Sequence, residues 1–491
     1  TFFHMGENAM TARTGAQYKE GLKDDRQIWL GEGKISVTDS PVMSGSIDGM
    51  AGYFDWQHQY ADECLIDDPE RSGEKMSVSL MLPRSKEDLA VRHRGLERLA
   101  RYSNGMLGRT PDYVNVVLAG HTARSDIWAR GKPEGYERLQ KFHREVIDGD
   151  LAMTHTIIHA NIDKSVGDLA GMNSELTLRV VGRNENGIIV RGGKVLATLG
   201  PIADELYVYS SAPIPSGAEE YALIFSIPVK TKGVMMICRD HYGVQASVAD
   251  APFSSRFDEQ DAFVIFDDVE VPYERVFCDG DLGVYNTLNQ GVSPGNTLQQ
   301  TAIRAMVKLE FAYDLCCSVA KVTNSLTRPD VAEMLGEIHS YLSLTRSAII
   351  AAEARAHDWG GGAVFPHRDL SVLRCVMPGW MIRVNQIIRA IGSHNLLATP
   401  SLALFENEEI GDLLRKYLPG SNGMAAEERA RIMRMAWDFA GSALGSRIEL
   451  YEMFYLASQG RARAGDHMIA QRDGEWGQVR EFMEKSGILP A

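Results

Sequence analysis

Cysteine is scarce in this chain and never clustered: six occur in 491 residues, at Cys64, Cys238, Cys278, Cys316, Cys317 and Cys375, with no Cys-x-x-Cys pair. That spacing offers no disulfide framework and points to free thiols in a reducing cytoplasm. Also missing are HExxH, a P-loop and a GxGxxG opening a helix after a strand. A zinc hydrolase, an NTPase and an enzyme carrying its own nicotinamide are thereby disfavoured. No uninterrupted apolar run approaches membrane-spanning length, and residues 1–9 have neither the basic flank nor the apolar core of a signal peptide. Excess positive charge is absent too. The formal charge of −14 argues against nucleic acid and anionic membranes as partners. What is present, 44% hydrophobic and 24% charged residues, suits an ordinary globular protein long enough for two or three domains.

Periodicity divides the chain. Residues 14–148 read as mostly helical, with Leu89, Leu96 and Leu99 on one face. From residue 175 the period shortens to two, and Asn184-Glu-Asn-Gly187 supplies a turn. Strand-like runs follow at 188–190, 206–209, 221–229, 234–237, 262–266 and 269–272. Beyond residue 282, the segments 299–322, 329–358, 370–396 and 425–456 are long and periodic, separated by Gly or Pro breaks, as in a helical bundle. The expectation is an α+β chain: an N-terminal helical domain over 10–150, a β domain over 151–283 and a C-terminal helical bundle over 284–491.

Four stretches hold candidate chemistry. Gly108-Arg-Thr-Pro-Asp-Tyr113 sets a permanent cation, Arg109, near a phenol, Tyr113, on a segment stiffened by Pro111. It reads either as a structural turn or as a site for a small oxyanion. His155, between Thr154 and Thr156, reads either as a buried, hydrogen-bonded histidine or as a general base with its tautomer set by a neighbour. His159 stands four residues on, but no third ligand accompanies it, so no metal site is expected. The small residues between Gly192 and Ala203 suit a bulged hairpin or the close approach of a flat ligand, with Thr198 offering a hydroxyl. Ser210 and Ser211 open a Pro/Gly-rich loop suited to a plain connection or a pocket mouth. Ala440-Gly-Ser-Ala-Leu-Gly-Ser-Arg447 interrupts a helical pattern, for tight packing or for exposed amides that bind an anion.

Taken in this order, these stretches resemble the flavin-dependent 4-hydroxyphenylacetate 3-hydroxylase family, in its large oxygenase component. The resemblance runs from Arg13-Thr-Gly-Ala-Gln-Tyr18 to the last helix. It is most specific at Gly108-Arg-Thr-Pro-Asp-Tyr113 with Asn115, at residues 151–156 and 194–203, and at Ala436-Trp-Asp-Phe-Ala-Gly-Ser442 with Leu450-Tyr-Glu452. It implies an acyl-CoA dehydrogenase-like fold, shared by Val269-Glu-Val-Pro272: a helical domain, a β-barrel and a four-helix bundle, usually a homotetramer. It implies FAD as cofactor, delivered as FADH2 by a separate flavin reductase, molecular oxygen as co-substrate, and ortho-hydroxylation of a small phenol through a flavin C4a-hydroperoxide. By position, Arg109, Tyr113 and His155 surround the substrate's phenolic oxygen, with His155 as base, and Ser210 and Ser211 grip the para side chain. Thr156, Asn161, Asp163, Lys164, Thr198, Gly441, Ser442, Ala443 and Leu444 line the flavin. At residues 296–300 family members carry a His-rich segment, whereas this chain has Gln299 and Gln300.

Three alternatives remain on the sequence. A 4-hydroxybutyryl-CoA dehydratase-like lyase needs three cysteines and a histidine around an iron–sulfur cluster, and only Cys64 lies in the N-terminal third. An acyl-CoA dehydrogenase needs a carboxylate base, for which Glu310 and Glu353 are bundle candidates. A scaffold without chemistry would have no use for Arg109, Tyr113, His155 and Thr198 together.

Overall fold

The computed structural model describes residues 12–160, 175–209, 212–243, 247–455 and 458–488. Local signals start its helices. Thr14 and Ser85 form capping boxes with Gln17 and Asp88, opening the helices Gly15–Gly21 and Lys86–Arg101. Pro111 occupies the first position of the helix Pro111–Ala123, where its missing N–H is no loss. All 13 residues of that helix are buried, which makes it the inner rod of the molecule.

The N-terminal third is not wholly helical. β1 (Gln27–Leu30) and β2 (Gly33–Ile35) leave it to join the central sheet, and β3 (Leu65–Asp67) pairs with β4 (Lys75–Ser77) as a hairpin. Strands of three or four residues are too short to carry a period, so only tertiary pairing reveals them.

The middle region forms two sheets from β5 (Met153–Thr156), β6 (Arg179–Arg183), β7 (Gly187–Thr198), β8 (Glu205–Val208), β9 (Leu223–Pro228), β10 (Val234–Cys238), β11 (Asp261–Pro272) and β12 (Val276–Asp279). The larger runs β2-β1-β10-β11-β7-β6, the smaller β12-β9-β8-β5. Among the described residues they do not close into one ring, so the barrel takes the form of two facing sheets. Their shared core includes Val190, Ala197, Leu206, Phe225, Met236, Val264 and Phe266. The Asn184 turn is real: its side-chain oxygen accepts the N–H groups of Asn186 and Gly187. β5 lies parallel to β8, with His155 opposite Tyr207.

The C-terminal region packs the helices Leu298–Val322, Pro329–Ala354, Leu373–Gly392, Ala426–Ala440 and Ala443–Phe454 around a large apolar core. The stretch 425–456 is two helices, not one. The chain breaks at Gly441, and the Ser442 hydroxyl accepts the Gly445 N–H at 3.0 Å to start the second.

Candidate active site

Three parts of the molecule meet at Arg109. The turn before the Pro111–Ala123 helix carries it; β5 and β8 bring His155 and the following Tyr209; the Ala443–Phe454 helix brings Tyr451 and its neighbour Tyr455. Gly108 is required for this meeting, because a Cβ there would lie 2.4 Å from the Tyr451 ring. The Arg109 backbone N–H donates to Glu259 Oε1. Arg109 is 8% exposed, and its guanidinium stacks 3.8 Å from the Tyr113 ring centre and 4.4 Å from that of Tyr455, with Tyr451 at 5.4 Å. Such a cage holds a cation through the ring faces and leaves its edge donors free. Nε donates to His155 Nε2 at 3.1 Å. Nη1 is buried and has no hydrogen-bond partner among the described residues.

His155 is wired at both nitrogens. Because Nε2 accepts from Arg109, the proton sits on Nδ1, which donates to the Tyr209 hydroxyl. Burial and then the Arg109 charge push the imidazole well below its usual pKa, so it is neutral at pH 7. Burial raises the Tyr209 phenol well above 10. The lone pair a general base would use is thus already engaged by Arg109.

Behind the cage lies a hydrogen-bonded scaffold. Tyr455 OH donates to Thr301 Oγ1 at 3.1 Å, and Gln300 Nε2 donates to Asp112 Oδ2 at 2.9 Å. Tyr53 OH donates to the other Asp112 oxygen at 2.9 Å. Gln299 bridges Arg92 Nε, at 2.8 Å, to Glu353 Oε1, at 2.6 Å. Gln300 thus ties down Asp112 behind the cage, whereas Gln299 serves the Arg92–Glu353 pair. Glu353 also pairs with His93, and Glu310 with Arg101 and Arg346, so neither stands among the groups around Arg109. A buried trio follows: Arg304 grips Glu452 at 2.8 and 2.9 Å, and Lys308 reaches the same carboxylate at 2.9 Å.

On the other side, the Thr198 hydroxyl donates to Asp261 Oδ1 at 2.8 Å, and its carbonyl accepts the Thr154 hydroxyl at 2.6 Å. Thr156 is fully buried, and its hydroxyl has no partner among the described residues. Gly441 and Ser442 are half-buried, Ala443 is exposed and Leu444 is buried in the bundle core. Asn161, Asp163, Lys164, Ser210 and Ser211 lie outside the described residues. The orphaned Thr156 hydroxyl, close along β5 to His155, fits a ring bearing hydrogen-bonding edge atoms, as a flavin does.

The structure thus brings Arg109, Tyr113 and His155 into contact and links Thr198 to Arg109 through Asp261, Arg447 and Glu259. Sequence reasoning missed Tyr209, Tyr451, Tyr455, Glu259 and Gln300 as members of the site. A signal existed for three of them: Tyr451 and Tyr455 are spaced i, i+4 on one helix face, and Tyr207 and Tyr209 alternate along a strand.

Fold and site together define an enzyme of acyl-CoA dehydrogenase-like architecture with an aromatic-lined cation site where sheet meets bundle. Comparison with known proteins gives this class its family. Residues 14–278 match the 4-hydroxyphenylacetate 3-hydroxylase N-terminal model, and residues 295–484 the C-terminal one. The 4-hydroxyphenylacetate 3-monooxygenase oxygenase component of Thermus thermophilus is 32% identical over 97% of this chain and 98% of its own. The 4-nitrophenol 2-monooxygenase oxygenase component of a Rhodococcus is 29% identical over 97% of this chain and 92% of its own.

A crystal structure of the oxygenase component of 4-hydroxyphenylacetate 3-monooxygenase, complexed with FAD and 4-hydroxyphenylacetate, superposes with a TM-score of 0.91 at 31% identity, covering 97% of this chain and 99% of that one. The chain belongs to the 4-hydroxyphenylacetate 3-hydroxylase family. A 4-hydroxybutyryl-CoA dehydratase from N. maritimus also superposes, with a TM-score of 0.86 at 19% identity, and shares the fold alone.

Proposed function

We propose that this chain hydroxylates a small phenol ortho to its hydroxyl, using molecular oxygen and FADH2 supplied by a separate flavin reductase. The observation that carries this reading is the state of Arg109. The neighbouring Arg304, Lys308, Arg447 and Arg239 all pair with carboxylates, whereas among the described residues the Arg109 guanidinium touches only aromatic faces and His155. Leaving a buried donor such as Nη1 unsatisfied costs about 1–3 kcal/mol. A phenolic oxygen entering the cage would remove that cost and, as phenolate, would balance the charge.

Reduced FAD held here would, together with molecular oxygen, supply the electrophilic oxygen as a C4a-hydroperoxide, and the residues of this chain would do the rest. Thr156, Thr198 and the Gly441-Ser-Ala-Leu444 segment would hold the flavin, and Asn161, Asp163 and Lys164 are assigned to it on family likeness. Tyr113 and Tyr455 clamp the guanidinium, so the donors left open have a fixed direction. An incoming phenol gives Arg109 a new acceptor, which frees His155 Nε2 to take the phenol's proton. The imidazolium so formed is tolerated only while the phenolate lies between it and Arg109, which ties proton transfer to substrate binding. Ser210 and Ser211 would hold the para substituent, on family likeness. A homotetramer working in the cytoplasm completes the reading.

The relatives act on different phenols, one of them named for a peptidyl-carrier-bound chlorohydroxyphenyl substrate in Streptomyces globisporus. The test is therefore a screen of 4-hydroxyphenylacetate, tyrosine, chlorophenols, 4-nitrophenol and a carrier-bound tyrosine with chemically reduced FAD and oxygen. Catechol formed is measured against hydrogen peroxide released. At least one phenol should yield catechol in step with oxygen used; peroxide alone from every phenol would end the proposal.

A further inference from the structure

Arg447 stands on the Ala443–Phe454 helix of the bundle, yet its guanidinium is spent on the segment that leads into β11. Nε and Nη2 hold the two oxygens of Asp261 at 2.8 and 2.5 Å, and Nη1 holds Glu259 Oε2 at 2.8 Å. Each carboxylate has a second bond to make. Glu259 Oε1 accepts the backbone N–H of Arg109, and Asp261 Oδ1 accepts the Thr198 hydroxyl. Arg239 braces the pair, with Nε on Asp261 Oδ2 at 2.8 Å and Nη2 on the Glu259 carbonyl at 3.1 Å. The Glu259 side chain is fully buried and that of Arg447 is 8% exposed, so water competes little for these bonds. Burial alone would raise the Asp261 carboxyl, but Arg447 and Arg239 hold it below its usual value.

We propose that Arg447 is a positioning residue that sets the distance between the phenol side of the site, through Glu259 and Arg109, and the flavin side, through Asp261 and Thr198. The inference rests on the reduced-flavin phenol hydroxylase reading. Its physical basis is the planar fork: a guanidinium engages two carboxylates at fixed angles, which a lysine ammonium does not. Oxygen transfer between two bound rings depends steeply on their separation. A misplacement of about 1 Å costs roughly a hundredfold in rate.

Three variants separate this role from plain structural support, each measured for phenol Kd, reduced-FAD Kd and catechol formed per oxygen consumed. Glu259→Gln should weaken phenol binding about tenfold and leave coupling at saturating phenol within about twofold of wild type. Asp261→Asn should leave phenol Kd within about twofold and cut catechol per oxygen about tenfold. Arg447→Lys should show both losses, with reduced-FAD Kd moving less than about threefold. A merely structural Arg447 would lower the melting temperature and leave these ratios alone, or move every readout together in all three variants. Either result overturns the proposal. Wild-type enzyme that forms no catechol from any phenol would defeat the underlying reading and this one with it. Wild-type catechol with unchanged ratios in Arg447→Lys would defeat only the positioning role.

Discussion

Replacing Arg109 by methionine removes the one charge in the cage while keeping a long side chain between Tyr113 and Tyr455. Methionine sulfur packs well against aromatic rings, and the lost cation had no carboxylate partner among its described contacts. Folding should therefore survive, with the melting temperature unchanged or raised. The magnitude follows from the geometry. A phenolate accepting from Nη1 would sit about 4 Å from the guanidinium centre, where two unit charges at an effective dielectric of about 20 attract by about 4 kcal/mol. Burying the anion takes back part of that, and charged hydrogen bonds retain about 1.5–3 kcal/mol net. That corresponds to a bound-phenol pKa lowered by roughly one to two units. 4-Nitrophenol reports this directly, because its phenolate absorbs visible light and its phenol does not. A pH titration of the bound ligand should show the wild-type midpoint about one to two units below that of Arg109→Met. Phenolate affinity should fall roughly ten- to a hundredfold. Equal midpoints in the two proteins would refute Arg109 as the oxyanion partner.

Two further outcomes follow from the same coordinates. Gly108→Ala would push a methyl into the Tyr451 ring at 2.4 Å; overpacking of this kind costs about 1–3 kcal/mol. Denaturant midpoint and phenol Kd should both worsen, and an unchanged pair would show the ring to be freely displaceable. Acid should destabilise the fold from pH 6.5 downward. Burial holds His121 at about 3, His143 at about 4, His159 at about 3 and His155 well below 6.5, whereas the unfolded chain protonates each near 6.5. The unfolded state therefore binds more protons as pH falls, which costs stability up to about 1.4 kcal/mol per histidine per pH unit. Glu205, pushed by burial to about 7, takes up a proton in the fold over the same range and offsets one of the four. His93 runs the other way: hydrogen bonds to Glu353 and Glu97 outweigh its burial and raise it to about 9, so its contribution is full below 6.5 and lost as pH rises toward 9. Thermal melts between pH 7 and 5 should show a steep fall, and a flat profile would contradict these environments.

Much of the site was legible because its chemistry is local. A proline after an arginine pre-sets a helix start, and Tyr113 in the first turn then has to lie near Arg109. The threonines flanking His155 marked it as a candidate with a set tautomer; the strand they lie on, β5, was not among the strand-like runs. The break near Gly441 was visible as small residues, although the helix on either side read as continuous. Tyr209, Glu259 and Arg447 were not legible as partners, because Tyr209 is 54 residues from His155 and Glu259 is 150 from Arg109. No spacing rule reaches so far.

By itself the sequence determined the order of helical, strand and helical regions, the stiff turn at Pro111 and the residue types able to hold a phenolic oxygen. These depend on backbone geometry and side-chain chemistry over a few residues. Only the tertiary structure decided that the Arg109 guanidinium would meet no carboxylate among the described residues while Arg304, Lys308, Arg447 and Arg239 each gained one. It likewise decided that His155 would meet the fold neutral, with its lone pair already taken. Both outcomes depend on which distant groups burial forces together, since in a low-dielectric interior each charge must find a partner or wait for a ligand.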